Sequence, residues 1–140
     1  PNLKYLNELN KLISSSKHSK SITMTPFIKS EELISKYSSA NLFILPSKSE
    51  GLGRVIIEAQ STACPVLVSS NTGMVDLIIE NETGYIFENN NKHDLSKKIQ
   101  YIMDNYENAL QTGLNSKAFV KENFSVENFE FGYKKLFDLV

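Results

Sequence analysis

The chain has 140 residues, a formal net charge of -1 and 41% hydrophobic residues. This length favours one domain with a single core, and the nearly balanced charge gives no indication of a nucleic-acid-binding protein. One cysteine, Cys64, excludes an internal disulfide and a cysteine-rich metal site, and no apolar run approaches the roughly 20 residues of a membrane helix. We therefore expect a soluble protein of a reducing, cytoplasmic compartment, with Cys64 as a small core residue.

The first part of the chain alternates helical and strand-like patterns. Apolar residues recur every three or four positions from Leu3 to Ser14, which predicts an amphipathic helix, and the β-branched stretch Ser21 to Thr25 predicts a strand. Ser30, followed by two glutamates, predicts the N-cap of a second helix. The apolar run Leu42 to Leu45 predicts a strand that is buried on both faces.

The same alternation continues to the end of the chain. A helix from Gly53 to Ala63 precedes a second apolar strand at Val66 to Ser69. Met74 to Ile79 predicts a short helix, and Tyr85 to Phe87 predicts the last strand. Three helices are predicted after it: one capped by Asp94, one through Leu110 and Ala118, and one capped by Ser125 with an apolar face from Phe129 to Phe137.

Strands that alternate with helices specify an α/β fold with a parallel sheet and right-handed crossovers. Ligands of such sheets bind beyond the carboxyl ends of the strands. Three predicted loops meet there, at Thr25 to Lys29, Ser47 to Gly53 and Ser69 to Met74. We therefore expect the functional site at this edge.

The most informative stretch is Ser47 to Ala59, which reads Ser-Lys-Ser-Glu-Gly-Leu-Gly-Arg-Val-Ile-Ile-Glu-Ala. Gly51 and Gly53 let the backbone approach a ligand, and the start of the following helix suits a phosphate. Glu58 lies roughly 7 to 8 Å along the helix from Gly53, so Glu50 and Glu58 can line one ligand of nucleotide-sugar size. Because most of the helix is apolar, we expect Glu58 to be buried and to need a partner.

This stretch resembles the Glu-x7-Glu signature of retaining GT-B glycosyltransferases of group 1 (family 4), which have two Rossmann domains and include bacterial mannosyl- and glucosyltransferases. Further matches extend over nearly the whole chain: Pro46-Ser47, Cys64-Pro65-Val66 and Thr83-Gly84-Tyr85. The resemblance implies a Rossmann-like sheet flanked by helices, with residues 1–140 as the C-terminal donor-binding domain. It also implies that the first strands and the N-terminal acceptor domain are absent, in keeping with a chain that begins at Pro1 within a helical pattern.

The resemblance also assigns roles. Glu50, the catalytic candidate, would bind hydroxyls of the donor sugar, and Glu58 would bind the ribose hydroxyls. Phe27 and Ile28 would border the nucleobase through backbone groups, although Pro26 stands where the family usually has glycine. The other donor-binding candidates are Gly51, Leu52, Gly53, Arg54 and Gly73, and Asp76 replaces a family glutamate.

Some assignments stay open. Arg54 either contacts a phosphate or is solvated, and it can instead pair with Glu58 within the helix. Lys48, His18 and His93 are interpreted as surface residues.

The resulting hypothesis is binding of a UDP-, GDP- or ADP-linked sugar for retaining transfer to a glycan or lipid-linked saccharide, as in polysaccharide biosynthesis. No cofactor and no metal are expected, and the fragment alone is expected to be inactive, because the family's diphosphate-binding Arg and Lys precede it. The whole protein would be cytoplasmic or membrane-peripheral. The alternatives are a non-catalytic nucleotide-binding or assembly module and a sugar-nucleotide epimerase of related fold. An unpaired apolar edge at Leu42 to Leu45 predicts either self-association or closure against Ser21 to Thr25.

Overall fold

The computed structural model describes residues 3–25, 27–48, 53–71, 73, 75–128 and 135. The elements of these ranges, in chain order, are α1 (Leu3–Ser15), α2 (Ser30–Ser39), β1 (Phe43–Leu45), α3 (Arg54–Ser61), β2 (Val66–Ser69), β3 (Tyr85–Phe87), α4 (Lys92–Asp104) and α5 (Tyr106–Asn123). Short 3-10 turns occur at Ser19–Ser21 and Val75–Leu77. Within the described ranges, every helix is too short or too polar to cross a membrane.

The sheet has the strand order β1-β2-β3, and both pairs of strands are parallel. Phe43 is paired with Val66, and Leu67 is paired with Tyr85. The central strand β2 is completely buried, which explains why three of its four residues are apolar. The residues of β1 are only half-buried, because in the described part of the chain β1 has one neighbouring strand. The predicted α/β fold with a parallel sheet between helices is confirmed.

Each face of the sheet is covered by its own set of helices. Between one face of the sheet and the helices α2 and α3 lies a cluster of buried residues: Tyr37, Ile56, Ala59, Cys64, Val66 and Val68. A second cluster lies between the opposite face and the helices α4 and α5, and it contains Leu67, Tyr85, Phe87, Ile102 and Ala109. The prediction that Cys64 is a core residue is confirmed, since its side chain is buried in the first of these clusters.

Helix α5 also packs closely against the end of α3. Gly113 faces the carbonyl oxygen of Ala63, and a Cβ atom at Gly113 would lie 2.2 Å from that oxygen. Ala63 itself has a left-handed backbone conformation with a φ of 64°, in the turn between α3 and β2. The close approach fixes α3 between α5 and α2.

The predicted strand at Ser21 to Thr25 is wrong. Ser19–Ser21 forms a 3-10 turn, and residues 22–25 have no regular structure. Ile22 and Met24 are 43% and 42% exposed. β-Branched residues favour a strand only where a neighbouring strand pairs with them, and none of the described strands does so here. Closure of this segment against β1 is therefore wrong as well.

Two predicted helix starts are displaced. Helix α2 begins at Ser30 with Lys29 as its N-cap, because the N–H of Leu33 already binds the Lys29 carbonyl. Helix α4 is capped by Asn91, whose side chain accepts from the N–H groups of His93 and Asp94. Asp94 is the third residue of α4, and its carboxylate accepts instead from the N–H of Glu88 at 2.7 Å. The side chain of an N-cap must reach the second or third N–H of its helix, and only residue 91 is placed to do so.

The remaining predictions of helices mostly hold. The Ser125 hydroxyl accepts from the N–H of Asn128 at 3.2 Å, which confirms it as a cap. The apolar face predicted from Phe129 to Phe137 lies largely outside the described residues. The short helix predicted at Met74 to Ile79 is limited to the 3-10 turn Val75–Leu77.

Candidate functional site

The carboxyl ends of all three strands meet at one edge of the sheet, because the strands are parallel. The chain leaves β1 at Pro46, β2 at Ser70 and β3 at Glu88. The N–H of Ser70 donates to the Phe87 carbonyl at 2.9 Å, so the loops after β2 and β3 begin side by side. Helix α3 starts from the loop that follows β1. The structure thus brings the predicted loops after β1 and β2 to a common edge.

Gly53 forms the start of α3. It is buried, it is the N-cap, and its carbonyl accepts from the N–H of Ile56 at 2.8 Å. Glycine has no side chain that can accept from the first N–H groups of the helix, so the N-cap side chain does not occupy them. These donors and the positive end of the helix dipole suit an anion at this position.

Glu58 is exposed, which corrects the expectation that it is buried and needs a partner. The buried side of α3 consists of Ile56, Ala59 and Gln60, whereas Arg54, Glu58 and Ser61 are exposed. The exposed residues are four and three positions apart, so they form one polar stripe along the helix. Val55 and Ile57 lie between the buried side and this stripe, and both are half-buried. The exposure of Glu58 therefore depends on the side of the helix on which it lies, and not on the number of apolar residues in the helix.

Tyr37, on α2, lies beneath this part of α3. Its side chain is 5% exposed and packs edge-on against Phe43, with ring centroids 5.2 Å apart. Burial raises the pKa of the Tyr37 hydroxyl, and the negative charge of Glu58 raises this pKa further.

Arg54, the first residue of α3, is exposed. The ion pairs between described residues join Lys36 to Glu32 and Lys98 to Glu80, and none joins Arg54 to Glu58. The alternative of an intrahelical pair is therefore wrong for this structure. Neither charged group on the exposed stripe of α3 has an ion-pair partner among the described residues.

The other predicted site residues are distributed unevenly. Phe27 is 88% exposed, Ile28 is half-buried, and Gly73 lies exposed in the turn after β2. Glu50, Gly51 and Leu52 lie outside the described residues. The roles of Glu50, Gly51 and Leu52 therefore stay predictions from the sequence.

Other polar side chains are on the surface, as predicted: Lys48, His18 and His93 are exposed. Within the described ranges, no group of three or more His, Cys, Asp or Glu side chains is arranged to hold a metal ion.

Asn89, which the sequence does not single out, links the loops at this edge of the sheet. Its side-chain oxygen accepts from the Ser69 hydroxyl at 3.1 Å, its amide nitrogen donates to the Lys48 carbonyl at 3.4 Å, and its backbone N–H donates to the Ser70 hydroxyl at 3.1 Å. Asn89 also borders a cavity of about 270 Å³ between Lys48 and the start of α4. The only sequence signal is its position in an asparagine run directly after a strand.

Comparison with known proteins gives consistent matches. The family described as "Glycosyl transferases group 1" matches residues 2–119. A capsular polysaccharide biosynthesis glycosyltransferase, CapM of Staphylococcus aureus, is 34% identical over 92 residues, which are 66% of this chain and 24% of that protein. This chain thus spans about a quarter of the length of that curated relative.

Solved structures show the same architecture. Sucrose-phosphate synthase from Thermosynechococcus elongatus superposes with a TM-score of 0.83 at 28% identity, covering 96% of this chain and 35% of that one. Anabaena HepE in complex with UDP-glucose superposes with a TM-score of 0.87 at 17% identity, covering 99% of this chain and 38% of that one. The second likeness concerns the fold alone.

Proposed function

The chain belongs to the glycosyl transferases group 1 family, and from that premise we propose that it binds the nucleotide-sugar donor in a retaining glycosyl transfer. The observation that carries this proposal is the start of α3, where buried Gly53 leads into an exposed stripe that contains Arg54 and Glu58. This arrangement lies at the carboxyl edge of a parallel sheet, where α/β folds bind nucleotides. HepE of Anabaena, which has the same fold, is solved with UDP-glucose.

In this proposal, each part of the donor has its own contacts. The uncapped N–H groups at the start of α3 face the diphosphate, and Glu58, about 7 Å further along the helix, accepts from the ribose hydroxyls. Arg54 adds a positive charge near the phosphates. Phe27 and Ile28 border the base, and Gly73 closes the site on the side of β2. Glu50 binds hydroxyls of the sugar.

The chemistry of the proposed reaction follows from these positions. Retaining transfer passes through an oxocarbenium-like state while the nucleoside diphosphate departs with its negative charge. The dipole of α3 stabilises that charge where it develops, without reorganisation of the protein. The carboxylate of Glu50 orients the sugar. Residues 1–140 form the donor-binding domain in this proposal, and the acceptor, a glycan or lipid-linked saccharide, binds outside it.

Titration calorimetry with UDP, GDP, ADP and their glucose conjugates tests the proposal, without added metal. The wild-type protein should bind at least one nucleotide, and Glu58→Ala should weaken the binding of the nucleotide and of its conjugate by about tenfold or more each, because a charge-assisted hydrogen bond contributes about 1.5–3 kcal/mol.

Glu107→Ala is the matched control, since Glu107 is exposed on the first turn of α5. It follows Tyr106, whose hydroxyl accepts from Asn41 at the amino edge of the sheet. Absence of binding by any nucleotide at millimolar concentration would refute the proposal. Binding without transfer by the natural polypeptide would favour the non-catalytic module.

A further inference from the structure

The outer edge of β3 carries backbone groups that face away from the neighbouring strand. The N–H of Ser70 donates to the carbonyl of Phe87 at 2.9 Å, so the backbone groups of Phe87 face β2. Successive residues of a strand direct their backbone groups to opposite sides, so those of Ile86 and Glu88 point outward. An outward row of this kind is a template on which a strand of another molecule can pair.

Both outward N–H groups of this edge already have an acceptor. The N–H of Ile86 donates to a carboxylate oxygen of Glu80 at 2.7 Å. The N–H of Glu88 donates to a carboxylate oxygen of Asp94, also at 2.7 Å. These are the donors that an added strand would need, and two side chains occupy them.

The surrounding fold holds both carboxylates in place. The N–H of Asn81 donates to the Gly84 carbonyl at 2.8 Å, which turns the chain back and sets Glu80 beside β3. The other carboxylate oxygen of Glu80 accepts from the ammonium group of Lys98. Lys98 follows Asp94 by four residues, so both lie on one face of α4. This face of α4 therefore runs along the outer edge of β3.

The other edge of the sheet, at β1, differs. The N–H of Phe43 donates to the Pro65 carbonyl at 2.9 Å, so the backbone groups of Phe43 face β2 and those of Ile44 point outward. Among the described strands, none pairs with this side of β1. The described strands thus leave the edge at β1 unpaired, whereas carboxylates bind the outward N–H groups of β3.

We propose that Glu80 and Asp94 form an edge cap, which prevents a second copy of this chain from adding a strand beside β3. A hydrogen bond to an ionised acceptor is roughly twice as strong as one to a neutral acceptor, so a peptide carbonyl of an incoming strand does not displace the carboxylates. The incoming carbonyl oxygens would also meet the negative charge of both side chains. Strand addition to this sheet is thereby confined to β1.

Amide hydrogen exchange, measured by NMR, tests the contacts of the edge cap one at a time. Glu80→Ala should speed the exchange of the Ile86 N–H by about tenfold or more and that of the Glu88 N–H by less than about twofold. Asp94→Ala should give the reverse pattern. In both variants the N–H of Phe87, which faces β2, should change by less than about twofold. A general loss of stability would instead speed the exchange of all three groups together.

Light scattering over a range of concentrations tests whether the edge cap blocks strand addition. A sheet with one open edge can pair only once, so the wild-type protein should not grow beyond a dimer. The double variant Glu80→Ala/Asp94→Ala has two open edges, and its mean mass should keep rising with concentration. If the double variant does not fold, the single variants provide the measurement, and each should exceed the wild-type mass at equal concentration.

Glu82→Ala and Glu107→Ala are the matched controls. Glu82 is exposed in the same turn as Glu80, and Glu107 lies in the first turn of α5, as Asp94 lies in the first turn of α4. Both controls should keep the exchange rates and the mass of the wild-type protein.

Two results overturn the inference. The same exchange pattern in Glu80→Ala and Asp94→Ala would show that the two carboxylates only support the overall stability. Variants that fold and keep the wild-type mass at every concentration would show that no strand adds beside β3 even without the edge cap.

Discussion

Replacement of Gly113 by alanine should destabilise the protein, although alanine is the better helix former. The added Cβ would lie 2.2 Å from the carbonyl oxygen of Ala63 and 3.4 Å from the ring of Pro65. An ordinary contact requires the two backbones to separate by about 1 Å. Overpacking of this kind costs about 1–3 kcal/mol, and alanine regains about 1 kcal/mol over glycine within a helix. The difference lies between about 0 and 2 kcal/mol, and because the clash is with a backbone oxygen we expect a net loss in the upper part of this range, about 1–2 kcal/mol.

Urea unfolding followed by circular dichroism measures this loss, and a thermal melt should show a decrease in Tm of about 4–8 °C. Lys117→Ala, on the exposed side of α5, is the control and should change the free energy of unfolding by less than about 0.5 kcal/mol. If Gly113→Ala is as stable as the wild-type protein or more so, helix propensity outweighs packing at this position. The close approach of α5 to Ala63 would then be contradicted.

Three further predictions concern the site, the core and the sheet edge. In the natural polypeptide, Glu50→Gln should abolish transfer with Tm unchanged, because a sugar-orienting carboxylate contributes little to the core; near-normal turnover would make Glu50 a bystander. Burial raises the pKa of Cys64 and of Tyr37 in the folded protein, so both groups ionise more readily in the unfolded chain. The stability that is present at neutral pH should therefore be lost as the pH rises above about 8.5. Denaturant titrations from pH 7 to 10 measure this loss of stability. In Cys64→Ala the free energy of unfolding should fall less steeply with pH. An equally steep fall in that variant would show that Cys64 is not its cause. The outer edge of β1, unpaired among the described residues, should promote self-association, and light scattering that shows a monomer at every concentration would contradict this.

Much of the fold is predictable from the sequence because buried helices and strands have characteristic local patterns of apolar residues. Strand β2 is apolar at nearly every position, and the structure places it at the centre of the sheet with both faces covered. The periodic leucines predict α1 to within one residue of its end. The segment Ser21 to Thr25 shows the limit of this reasoning, since a strand depends on a partner that its own sequence does not specify.

The candidate site is predictable only in part, for a related reason. The glycines and glutamates around Gly53 identify the start of α3, but the hydrogen bonds of Asn89 reach residues up to 41 positions away. No local pattern encodes such contacts. The asparagine run after β3 is typical of a turn in many proteins, and only the parallel arrangement of three strands turns one of its members into a link between loops.

The exposure of Glu58 favours a role in ligand binding over a role in the stability of the fold. A buried carboxylate would need a partner for the fold to be stable, and its replacement would disturb binding and stability together. The exposed carboxylate has no ion-pair partner among the described residues, so its replacement breaks no ion pair within them. It nevertheless lies on the same stripe as Arg54, beyond the uncapped start of α3. Any loss of affinity in Glu58→Ala therefore reports on the ligand contact itself, which makes this glutamate the most direct probe of the proposed site.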